Sequence, residues 1–136
     1  MNRGDAESAE EGISEELNTL TTSVIGAAIE VHRVLGPGYL ESVYQEALEV
    51  ELMAAHIPFE PRKPIAVSYK GREVGQGRLD FLVADKLVLE LKAVEKLAPI
   101  HRAQMISYLK ATSRRLGLVI NFNEKTLRDG IMRVAL

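Results

Sequence analysis

No cysteine occurs in the chain, which excludes disulfides, zinc–thiolate centres and cysteine nucleophiles. No apolar run approaches the roughly 20 residues that a membrane helix needs, so no membrane partner is expected. The start lacks an apolar signal core. Met1 to Glu16 is polar and acidic, and a cytoplasmic location is the expectation. Nor is there a strong excess of either charge: the formal net charge is −2 over 136 residues. That balance argues against a nucleic-acid partner only until it is divided. Residues 1–16 hold six acids (Asp5, Glu7, Glu10, Glu11, Glu15, Glu16) and one base (Arg3), so the remainder carries 16 bases against 13 acids. An acidic, disordered lead at 1–16 and one mildly basic domain at 17–136 are expected.

What is present is an ordinary core composition, 46% hydrophobic, in a length that suits one domain. Leu17 to Leu35 reads as an amphipathic helix, with Val24, Ile25, Ala28, Ile29 and His32 on one stripe. Gly36-Pro37-Gly38 ends it. A second helix runs from about Leu40 to His56, with Leu40, Val43, Ala47, Val50 and Leu52 apolar. Pro58, Pro61 and Pro64 mark an extended connector. Ile65–Tyr69 and Gly77–Val83 read as strands around a Lys70-Gly71-Arg72-Glu73 turn, and Leu87–Lys92 as a third strand. Ile100–Thr112 is a helix. Leu116–Asn121 is a near-continuous apolar strand suited to the middle of a sheet. Ile131–Leu136 is a last edge strand. The order ααβββαββ predicts an α/β (α+β) fold, a mixed sheet with helices on its faces.

Within the third strand, side chains alternate faces. Leu87, Leu89 and Leu91 take one face, and Val88, Glu90 and Lys92 the other. The preceding strand carries one carboxylate, Asp80. Buried charges are costly unless paired or bound to metal. Two carboxylates and an ammonium at one sheet edge therefore suggest a site for a divalent cation, Mg2+ or Mn2+, serving phosphodiester hydrolysis. Asp80 and Glu90 would be inner ligands, with the Leu91 carbonyl near enough to join them. Lys92 would hold water or stabilise developing negative charge. Glu41 and Tyr44, three apart, share a helix face. Gln104 and Tyr108 are four apart on the crossover helix, with His101 a turn earlier. Basic clusters at Arg62-Lys63, Arg102, Lys110 and Arg114-Arg115 are available to phosphates.

Gly38-Tyr39-Leu40-Glu41-Ser42-Val43-Tyr44 spells G-x-x-E-x-x-Y. With Asp80, Glu90-Leu91-Lys92 and Gln104-x-x-x-Tyr108, the chain resembles the GxxExxY proteins, grouped with the PD-(D/E)XK nuclease superfamily. The resemblance runs from about Leu17 to the C-terminus. It includes the stretches Ala28–Arg33, Leu89–Glu95 and Leu118–Asn123. It implies a restriction-endonuclease-like core, with Asp80 and Glu90 as metal-binding acids and Lys92 as the catalytic lysine. It further implies Glu41 as the extra helical acid beside the metal, and Gln104 and Tyr108 as the pair seen in nucleases of DNA ends or single strands. Leu79 stands where the superfamily name has proline.

Plainer readings stand beside these. Asp80 is also explained as a turn-facing acid, and Glu90–Lys92 as a same-face ion pair. Tyr44 and Tyr108 read first as packing residues with bonded hydroxyls, and His32 as a satisfied core histidine. His101 is balanced between capping its helix and lining the site. The leading functional reading is a metal-dependent DNA nuclease. The alternative is a catalytically inactive nuclease-fold module that binds nucleic acid or a protein partner. A third is a structural subunit with internally paired acids. Pairing of two copies, through the tail strand Ile131–Ala135, is a further expectation.

Overall fold

In the computed structural model, residues 9–136 are described. The element order is α1 (Glu15–Leu35), α2 (Glu41–Ala54), β1 (Phe59–Tyr69), β2 (Arg72–Val83), β3 (Leu87–Lys92), α3 (Pro99–Thr112), β4 (Leu116–Asn121), a 3-10 turn (Leu127–Gly130) and β5 (Ile131–Ala135). The strands form one sheet in the order β1-β2-β3-β4-β5. β3 and β4 run parallel, which obliges the chain to cross over through α3, and the other neighbours are antiparallel. The mixed sheet flanked by helices is the expected restriction-endonuclease-like arrangement.

The alternation read in β3 decides the layers. Leu87, Leu89 and Leu91 pack with Val24, Ala28, Leu48 and Leu52 of α1 and α2. Val88 packs with Val119, Met105 and Leu109 under α3. α3 comes close because Gly117 has no side chain: a Cβ there would collide with the Met105 sulfur.

Several boundaries differ from the sequence reading, each for a physical reason. The proline connector is the first half of β1, with Pro61 and Pro64 opposite Phe81 and Arg78. An edge strand has one side without a ladder partner, so a missing N–H is tolerated there. β2 starts at Arg72, five residues before the expected Gly77. Lys70 and Gly71, both at positive φ, close that hairpin as the two central residues of a type I′ turn.

In α2 the buried stripe is Tyr44, Gln45, Leu48 and Leu52, while Leu40 is 77% exposed and Val43 and Val50 also face solvent. The stripe turns because Tyr44 stacks on Phe122, ring centroids 4.5 Å apart. α1 begins at Glu15, where the Ser14 hydroxyl accepts from the Leu17 amide. Of the acidic lead expected at 1–16, residues 1–8 lie outside the described residues. In the rest, Ile13 is buried and Glu10 pairs with Arg133 of β5 at 2.9 Å. Among the described residues no helix is long and apolar enough to cross a membrane.

Candidate functional site

The β2–β3 ladder is short. Phe81, Leu82 and Val83 pair with Leu89, Val88 and Leu87, and the pairing stops there. Beyond it, side chains replace the backbone. The Leu91 amide donates to Asp80 Oδ2 at 2.7 Å, and the Asp80 amide donates to Glu90 Oε1 at 3.2 Å. Each carboxylate occupies a backbone partner that the parting strands have left.

The break has visible causes around it. Leu79 and Leu82 both face the α3 layer, whereas Phe81 and Val83 face α1 and α2, so strict alternation fails at Asp80. On β1, pairing skips the residue opposite Asp80, which is Arg62, held at φ 50°. From α2, Gln45 Nε2 donates to the Asp80 carbonyl at 3.0 Å.

Glu90 is 5% exposed. Its carboxyl is pushed up from 4.5 to about 9, first by burial and then by the neighbouring Asp80 charge, while Lys92 opposes the shift only weakly. Glu90 is therefore neutral at pH 7. Lys92 lies on the same strand end, half-buried, and no Glu90–Lys92 ion pair occurs among the described residues. Tyr108, on α3, has its phenol pushed up by burial and then by Glu90 and Asp80. Its hydroxyl accepts from Gln104 Nε2 at 3.3 Å. The Gln104–Tyr108 pair thus lies within electrostatic reach of the two acids.

Glu41 stands apart from this knot. It is exposed in the first turn of α2 and lines an open cleft of about 400 Å³ with Gln45, Arg62, Arg78, Asp80 and Leu91. Among the described residues no three acid or histidine side chains are close enough to hold one ion together. Among the described residues Glu41, Asp80 and Glu90 are therefore not a preassembled cluster, and Glu90 is bonded to the Asp80 amide. The donors present still fit a hard cation. They are oxygens only, as Mg2+ and Mn2+ prefer, and two crowded carboxyls, one forced to keep its proton, are the arrangement that a cation relieves.

Two accessory residues have other work. Tyr44 is fully buried, its hydroxyl donates to the Gly36 carbonyl at 2.6 Å, and it accepts from the Tyr39 amide at 3.2 Å. It ties down the Gly36–Tyr39 turn that leads into Glu41. His101 caps α3: its Nδ1 accepts from the Ala98 amide at 2.9 Å, so it serves the helix start. His32, as its position on the helix stripe suggested, is satisfied, with Nε2 donating to the Glu124 carbonyl at 2.7 Å.

Two residues escaped the sequence reading. Gln45 is buried among the apolar positions of α2, and a lone amide inside a core stripe was its signal. Asn121 is fully buried opposite Lys92. It donates to the Val94 carbonyl at 2.9 Å and accepts from the Val94 amide at 3.0 Å, which pins the chain just past Lys92. Its signal was a polar residue closing an otherwise apolar strand.

A family model described as the PD-(D/E)XK nuclease superfamily matches residues 18–134. No curated protein and no solved structure matches the chain.

Proposed function

The chain belongs to the PD-(D/E)XK nuclease superfamily over residues 18–134, and from that premise we propose that it is a nuclease hydrolysing phosphodiester bonds in DNA with Mg2+ or Mn2+, within the GxxExxY group. The observation that carries this reading is the convergence of Asp80 and Glu90 where the β2–β3 ladder ends. Asp80 and Glu90 would hold the cation, with the Leu91 carbonyl and Glu41 completing the oxygen donors. Bound there, the cation acidifies water and polarises phosphoryl oxygens. Lys92, in no ion pair among the described residues, offers its ammonium to the attacking water and to charge gathering on phosphate. Gln104, steadied by Tyr108, orients the phosphate or the water. Tyr44 and His101 support the elements that present Glu41 and Gln104.

The test pairs two measurements on purified protein. DNA cleavage with Mn2+ or Mg2+ is expected for the wild type and is expected to vanish in Glu90→Ala and Lys92→Ala, with helical circular dichroism retained. Undiminished cleavage by both folded variants would overturn the assignment. Calorimetric titration of Mn2+ should show saturable binding that Glu90→Gln abolishes.

One observation favours the non-catalytic module as the second reading: Glu90 is buried and bonded to the Asp80 amide within the chain. That reading expects nucleic-acid or partner binding that survives Glu90→Ala and needs no metal.

A further inference from the structure

The sheet end that carries Asp80 and Glu90 has a second opening. β3 and β4 are parallel with Lys92 opposite Asn121, so the segment leaving β4 emerges at the same end as the site. α1 finishes against that segment, where His32 bonds the Glu124 carbonyl. Arg33, Lys125 and Arg128, with His32 and Thr126, line a space of about 300 Å³ that no carboxylate lines.

The charges here are available. Arg33 is engaged with Glu30 at 2.7 Å, but Lys125 and Arg128 make no ion pair among the described residues. Several of the basic residues that stand out in the sequence are, like Arg33, already paired at the surface. Arg62 is on Glu49, Lys63 on Glu60 and Arg114 on Asp85, and Arg115 donates to the Leu136 and Ala9 carbonyls. The basic opening also connects to the site through packed rings. His32 lies 6.5 Å from Phe122, and Phe122 stacks at 4.5 Å on Tyr44, one helical turn from Glu41.

We propose that Lys125 and Arg128 grip the phosphates of a nucleic-acid strand on one flank of the Asp80–Glu90 site. The inference rests on the nuclease reading. A guanidinium pairs two phosphate oxygens at once, and an ammonium acts as a point charge. Such contacts set the position of a strand without reading its bases. His32 fixes the loop that carries both cations.

The experiment is fluorescence anisotropy of a labelled 30-nucleotide DNA, single-stranded and duplex, titrated with the full chain in EDTA across a salt series. The wild type is compared with Lys125→Ala/Arg128→Ala and with Lys86→Ala/Arg114→Ala, a charge-matched pair at the opposite end of the sheet. Loss of two phosphate contacts is expected to lower the slope of log affinity against log salt by about 1.5. Affinity should fall about tenfold or more in low salt, with at most half that effect in the matched pair. An unchanged slope, or equal losses in both pairs, overturns the inference. So does binding of inorganic phosphate at Lys125 and Arg128 without DNA affinity, which would mark a small-anion site, or of an acidic peptide in its place. Wild-type cleavage of DNA beside an unchanged slope defeats this inference alone, whereas neither binding nor cleavage by the wild type defeats the nuclease reading with it.

Discussion

At the scale of single residues, Glu90 decides the most. Its carboxyl keeps a proton in the folded chain up to about pH 9 and loses it in the unfolded chain near 4.5. The folded state therefore holds more protons across that window, and stability falls as pH rises through it. Full stability belongs below about pH 4.5 as far as this group is concerned, and the loss reaches about 3 kcal/mol by pH 7. Glu90→Gln should remove that slope, raising the metal-free unfolding free energy at pH 8 more than at pH 5. Urea denaturation at the two values checks it, and parallel curves for variant and wild type would show that Glu90 is not neutral in the fold. A structural acid would behave oppositely, since its amide replacement would weaken the protein. Asn121 is a second case. Asn121→Ala leaves the Val94 amide and carbonyl without their partner, at a cost of about 1–3 kcal/mol, measurable in the same assay. Asp80, Glu90 and Lys92 were legible because charges in apolar strands stand out against period-two alternation. Gln45 and Asn121 were not, since a buried amide betrays itself only when the backbone group it serves is known.

At the scale of elements, the fit of helix to sheet depends on small residues and bonded hydroxyls. α3 lies on β4 through the Gly117–Met105 contact. Gly117→Ala should destabilise by about 1–3 kcal/mol through overpacking, and Met105→Ala in the same chain should recover part of that loss. Thermal unfolding of the two single variants and the double variant measures the coupling. In the G-x-x-E-x-x-Y stretch, Gly38 sits at φ 112°, a conformation that glycine adopts without strain. Tyr44 then holds the turn by its hydroxyl. Tyr44→Phe should cost about 1 kcal/mol and leave the Glu90 slope with pH untouched. The elements were read well where pattern alone sufficed: Leu87–Lys92 and Leu116–Asn121 coincide with β3 and β4. Two of the misreadings share one origin. Which face of α2 is buried, and whether a proline run is a connector or an edge strand, depend on what lies alongside, and one chain's periodicity carries no information about that.

At the scale of the whole molecule, binding and folding are coupled. A cation at a hundredfold its Kd adds about 2.7 kcal/mol, so Mn2+ should raise the Tm of the wild type by several degrees and that of Glu90→Gln by much less. Differential scanning fluorimetry with and without EDTA reads this directly. The two edges of the sheet are unlike. β1 is eleven residues long and β5 is five, and the longer one carries Pro61 and Pro64 with Arg62 turned to positive φ between them. A long, flat edge offers a row of N–H and C=O groups on which another chain's strand can grow. Here Pro61 and Pro64 remove two backbone donors from the strand and Arg62 departs from β geometry between them, so β1 is a poorer template for fibre-like stacking at high concentration. Any strand-to-strand pairing of two copies would fall to β5, and replacing both prolines with valine would open the protected side to aggregation.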